Sequence, residues 1–75
     1  MNDAPQHAHE QTEELASNIF NEIVGDGYQH RLSNFGLRCF AEQKLVGKKA
    51  VYPETVVEMV MTKMWWFRGY NREER

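Results

Sequence analysis

PETVVEMVMTKMWWFRGY, residues 53–70, decides the fold. Pro53 brings a fixed φ suited to a first helical position, and Glu54 places an acid beside the positive end of the helix that would follow. Projected at about 100° per residue, Val56, Val57, Met59, Val60, Met64, Phe67 and Tyr70 fall on one broad face. That face is the expected core side. The spacing predicts a third helix over at least 53–68, with Gly69 as a stop.

The same projection puts Met61, Trp65, Arg68 and Arg72 nearly opposite the core, at i, i+4, i+7 and i+11, with Trp66 on the border. Adjacent residues of a helix cannot share a side, so the run Trp65-Trp66-Phe67 needs two destinations. Trp and Arg are enriched at binding hot spots, and Met adapts to irregular surfaces. Met61, Trp65, Trp66, Arg68 and Arg72 are therefore the expected partner contacts. In the competing reading, two other helices flank helix 3 and bury Trp65 inside the fold.

Upstream, Thr12 followed by Glu13 and Glu14 reads as an N-cap with acids in the first turn. Helix 1 is expected from there to Val24, with Leu15, Ala16, Ile19, Phe20, Ile23 and Val24 inward and Gly25 as the left-handed residue that ends it. Helix 2 is assigned to residues 28–46 on the stripe Tyr28, Leu32, Phe35, Cys39 and Val46; a later start with Ser33 as N-cap is the alternative. Between helices 2 and 3 lies a short hairpin or a connector, and the connector is preferred because a lone hairpin is marginal in water. Residues 1–11 hold no large apolar side chain beyond Met1, so they are read as a disordered tail. The expected fold is thus all-α: a three-helix domain over 12–75 behind that tail.

A chain of 75 residues has room for one small domain, whose core alone supplies about 3–5 kcal/mol. Cys39 is the sole cysteine and cannot form an intrachain disulfide. Association with a partner or with a second copy is the remaining reinforcement, so a homo-oligomer is expected. With 41% hydrophobic and 27% charged residues, the chain as a whole is not of disordered composition. It has neither a signal-peptide pattern nor an apolar run long enough to span a bilayer, so the expectation is a cytoplasmic protein without a membrane partner.

Charge is uneven along the chain. Residues 1–27 carry six acids and no Lys or Arg, whereas residues 28–75 hold all nine basic residues against five acids. A nucleic-acid alternative follows, in which Gln29, His30, Arg31, Asn34 and Arg38 on helix 2 meet bases and phosphates and Lys48 and Lys49 add backbone contacts. Its weakness is helix 1, which would cross the phosphates carrying Glu13, Glu14 and Glu22 and no base. A single-strand version using Trp65, Arg68 and Arg72 avoids that conflict. A third class, acidic helix 1 imitating nucleic acid, has only a thin charge array.

Catalytic chemistry finds no footing. His7 and His9 form a His-x-His pair without further ligands at fixed spacing, so neither a metal nor a cofactor is expected. His30 and Cys39 on one helix would stand about 13 Å apart, too far for a nucleophile and its base, and Cys39 reads as a small buried side chain. The sequence therefore points to a non-enzymatic binding or regulatory protein that docks a macromolecule or its own copy, with a DNA- or RNA-binding regulator as the alternative.

Overall fold

Three helices form around the apolar spacings that the sequence carries. In the computed structural model, which describes the backbone of residues 3–73 and the side chains of residues 9–68, they are α1 (Asp3–Gly25), α2 (Asn34–Lys44) and α3 (Pro53–Glu73), with a short 3₁₀ turn at Tyr28–His30 before α2. No strand occurs among the described residues, and the link between α2 and α3 is a connector. The chain is an all-α, three-helix domain.

α3 is the central element: both other helices pack on it, and they meet each other much less. Val56, Val60, Val57 and Met64 are buried on it, with Met59 and Phe67 at the edges of that face. Phe67 meets Phe20 of α1 edge-on, ring centroids 5.7 Å apart. Pro53 opens the helix, as the sequence implies. Gly69 does not close it, because a single glycine weakens a helix by about 1 kcal/mol relative to Ala without terminating it. The side chains of Tyr70 and Arg72 lie outside the described residues.

α1 turns Ala16, Ile19 and Ile23 fully inward and leaves Leu15 and Phe20 half-buried. It begins at Asp3, nine residues ahead of the predicted cap, and Thr12 is a helical residue only 1% exposed. A Thr followed by two acids looks the same from sequence at a helix start and within a helix, so the pattern does not fix the boundary. The side chains of residues 1–8 in the tail reading lie outside the described set. Gln11, at its end, is engaged: its Nε2 donates to Lys49 O at 2.8 Å and its Oε1 accepts from Val51 N at 2.9 Å. One amide thus holds the connector as a neighbouring strand would. Gln11→Ala is expected to lower stability by about 1 kcal/mol in urea denaturation, with the loss traceable to faster amide exchange at Val51.

The turn after α1 uses a different glycine from the one expected. Gly25 ends the helix, while Gly27 takes the left-handed conformation at φ 78°, its N–H bonded to Val24 O at 3.1 Å. α2 then starts late. Ser33 caps it, Oγ accepting from Gly36 N at 3.2 Å, and the span predicted as one helix over 28–46 is split into the 3₁₀ turn and α2. Gly47, at φ 86°, follows the end of α2.

The late start changes which face of α2 is inside. Leu37, Ala41 and Leu45, spaced i, i+4, i+8, are buried, whereas Phe35 and Val46 are 76% and 78% exposed and Cys39 is exposed as well. The predicted stripe of Tyr28, Leu32, Phe35, Cys39 and Val46 is therefore not the core stripe. Once residues 28–33 leave the helix, Tyr28 and Leu32 no longer share a phase with the rest; they reach the core edge from the turn, and Tyr28 stacks edge-on against Phe40 at 5.2 Å.

Across the α1–α2 boundary Lys44 Nζ meets Glu22 Oε1 at 2.8 Å. Accepting this hydrogen bond lowers the Glu22 pKa below its ordinary value of 4.5, and donating it raises that of Lys44 above 10.5. The carboxylate's contribution is therefore present above pH 4.5 and lost as pH falls through the lowered value. The ammonium's is present below pH 10.5 and lost as pH rises through the raised value. The melting-temperature difference between wild type and Glu22→Gln is expected to shrink at both extremes, and a difference independent of pH would show that the pair is not formed in solution.

Candidate docking surface

Arg68 projects from α3 toward the segment ahead of α2 and is spent there. Its Nε donates to Gln29 O at 3.0 Å, Nη2 to Leu32 O at 2.7 Å and Nη1 to Asn34 Oδ1 at 2.6 Å. The planar guanidinium suits this fork, since its donors are fixed in direction. Assigned from helical phase to the partner-binding face, Arg68 is instead a half-buried latch within the fold.

The rest of that face is open. Trp65 is 72% exposed and Met61 half-buried against the core. Across from them stands Phe35 of α2, and the two helices enclose a groove of about 330 Å³ lined by Asn34, Phe35, Arg38, Met61 and Trp65. Beyond Phe35 the apolar surface continues along α2 to a hollow of about 540 Å³ whose walls include Cys39, Phe40 and Val46. Trp66, 69% exposed, lies about 100° around α3 from Trp65 and borders a separate hollow with Thr62 and Lys63. The two tryptophans are thus both at the surface, on different edges of α3. Arg72 lies outside the residues whose side chains are described.

Phe35, Cys39 and Val46 are exposed residues that the sequence stripe places in the core. The signal was available: taking Ser33 as the cap restarts the helical phase at Asn34 and sends Leu37, Ala41 and Leu45 inward, leaving Phe35 outside.

The residues of the nucleic-acid alternative are not gathered by the fold. His30 and Arg31 lie before α2 and Lys48 and Lys49 after it, all exposed, with the roughly 16 Å of an 11-residue helix between the two groups. Gln29 gives its carbonyl to Arg68, and its Oε1 is enclosed with no hydrogen-bond partner among the described residues. Asn34 gives Oδ1 to Arg68, which directs its amide nitrogen away as a donor. Arg38 alone of the set lines the groove as a charge.

Among the described residues no three His, Cys, Asp or Glu side chains come together in a way that could hold a metal. His9 sits 3.2 Å from Glu13 one turn along α1. Cys39, expected to be buried, is an exposed thiol on the outer face of α2. No helix among the described residues is long and apolar enough to cross a membrane. Comparison with protein-family models, with curated proteins and with solved structures finds no match to this chain.

Proposed function

We propose that the protein is a small non-enzymatic binding or regulatory module that docks a macromolecule through the face formed by Trp65, Met61 and Phe35, extended along α2 by Cys39 and Val46. One observation carries this reading: two large aromatic side chains from different helices, each more than two-thirds exposed, share a single groove. Full burial of such side chains is worth about 1.5–3 kcal/mol each, a gain the isolated chain leaves unrealised. The groove is open and lined by apolar walls with donors at the rim, which suits docking rather than turnover. Trp66 offers a neighbouring anchor. A cytoplasmic site of action accompanies the reading, since the sole cysteine is a free, exposed thiol.

The test uses Phe35→Ser and Trp65→Ser in affinity capture from lysate, with and without nuclease. At concentrations where the chain is monomeric, both variants are expected to keep the wild-type melting temperature within about 3 °C, and to lose capture that survives nuclease. Retained capture by both would remove this face from consideration.

A second reading, single-stranded nucleic acid, is favoured by Arg38 and Asn34 standing at the rim beside two aromatic walls, a combination able to stack bases and reach phosphates. It requires oligonucleotide binding that falls steeply with salt and is lost in Arg38→Glu. Absence of any shift at low salt would eliminate it.

A further inference from the structure

We infer that the occupant of the outer α2 face is a second copy of this chain, seated antiparallel with α2 against α2. The inference rests on the docking reading above and names its partner.

The spacing of the exposed residues is the first support. Phe35, Cys39, Glu42 and Val46 recur at intervals of four, three and four, the seam spacing of two helices packed side by side. They lie away from Leu37, Ala41 and Leu45, which the chain's own core has taken. α2 therefore carries two packing faces, of which the monomer uses one.

Charge supplies the direction. Arg38 and Glu42 are one turn apart on the side of α2 nearer α3, Glu42 at the edge of the seam and Arg38 on the flank beside it, and both line a hollow with Leu45 and Val57. Both are exposed, and neither side chain has a hydrogen bond or ion pair among the described residues. When two identical helices pack antiparallel about a two-fold axis, each flank meets its own copy. With the axis passing near Phe40, Arg38 of one copy faces Glu42 of the other, and the symmetry repeats the pair. A parallel arrangement would set this flank against the opposite one, where Gly36 and Gln43 carry no charge. An acid in an apolar seam disfavours association unless it is paired, so Glu42 also selects the register.

The ends of the seam match as well. The antiparallel pairing brings the wide aromatic end, Phe35 beside Trp65, to the narrow aliphatic end at Val46 of the other copy. Phe35 and Val46 are among the most exposed large apolar side chains of the described residues, and this one contact covers both twice. A domain of this size, with two alanines among the ten core residues of the described set, has reason to gain stability from association.

The experiment is sedimentation of the full chain from about 1 to about 200 μM for wild type, Arg38→Glu, Glu42→Arg and the double reversal, with a short bis-maleimide as a probe at Cys39. Wild type is expected to dimerise. Each single reversal sets like charges together and should raise the dimer dissociation constant at least about tenfold, and the double reversal should bring it back. Cys39 lies one residue from the axis, so cross-linking between copies should follow the same order. Circular dichroism checks that the exposed substitutions leave the fold intact. Should a reversal fail to fold, cross-linking decides the direction: in a Cys39→Ser background, Phe35→Cys mixed with Val46→Cys should cross-link between copies, and a Phe35→Cys chain that cross-links to its own copy instead would overturn the antiparallel pairing. A wild type that stays monomeric throughout, a dimer unmoved by either single reversal, or singles not rescued by the double would each overturn the antiparallel dimer. A monomer that still loses capture of another macromolecule through Trp65→Ser overturns the dimer and leaves the docking reading standing. A monomer whose capture neither Trp65→Ser nor Phe35→Ser affects removes both.

Discussion

Arg68→Ala is expected to destabilise the protein by about 3 kcal/mol. Hydrogen bonds from a charged donor contribute about 1.5–3 kcal/mol each, and Arg68 makes three, two of them to backbone carbonyls that lie outside any helix ladder. The side chain is only half-buried, so water screens part of this and the total stays well short of three full bonds. In a domain this small each kcal/mol moves the melting temperature by about 4–8 °C, so a fall of roughly 12–24 °C is anticipated by calorimetry. Arg68→Lys should recover little, because an ammonium keeps the charge but cannot reach three acceptors in a plane. A loss below about 1 kcal/mol would show that the latch is open in solution.

Leu37→Ala is expected to cost about 3 kcal/mol or more, while Phe35→Ala, two residues away, changes stability by no more than about 0.5 kcal/mol under conditions where the chain is monomeric. Leu37 is fully buried between α2 and the core, and a core this small has only about 3–5 kcal/mol to lose. Urea titration should find the Leu37 variant largely unfolded at the outset and the Phe35 variant unfolding with wild type. Equal damage from both would place the outer face of α2 inside the monomer.

This pair of residues also marks where the fold was legible in the sequence. α3 could be read because its apolar residues keep one phase from Val56 to Phe67 and Pro53 fixes where that phase begins. The inner face of α1 could be read for the same reason, even though its start could not. α2 carries two apolar periodicities that differ only in phase, and the choice between them depends on whether the helix begins at Tyr28 or at Ser33. Spacing alone weights both equally; the Ser33 cap is what decides. Of the candidate surface, the exposure of Trp65 followed from helical phase and that of Phe35 did not. The role of Arg68 left no trace in the sequence, since its partners are two carbonyls and a side chain 34 to 39 residues away, and a carbonyl has no residue signature.

The dominant packing of α1 on α3 rather than on α2 bears on the order in which the fold can be made. Of the three helices α1 is synthesised ahead of the others, and it exposes Ile19 and Ile23 with no adequate cover until α3 is complete. A chain extended only through α2 has Leu37 and Ala41 in the same condition, because their counterparts Val56, Val57 and Val60 do not yet exist. Closing this contact also means bringing together segments more than thirty residues apart before either is rewarded, which slows folding relative to a bundle of sequential hairpins. Nascent and truncated chains lacking α3 should therefore behave as clients of chaperones and proteases, and full protection should arrive in one step when the third helix docks.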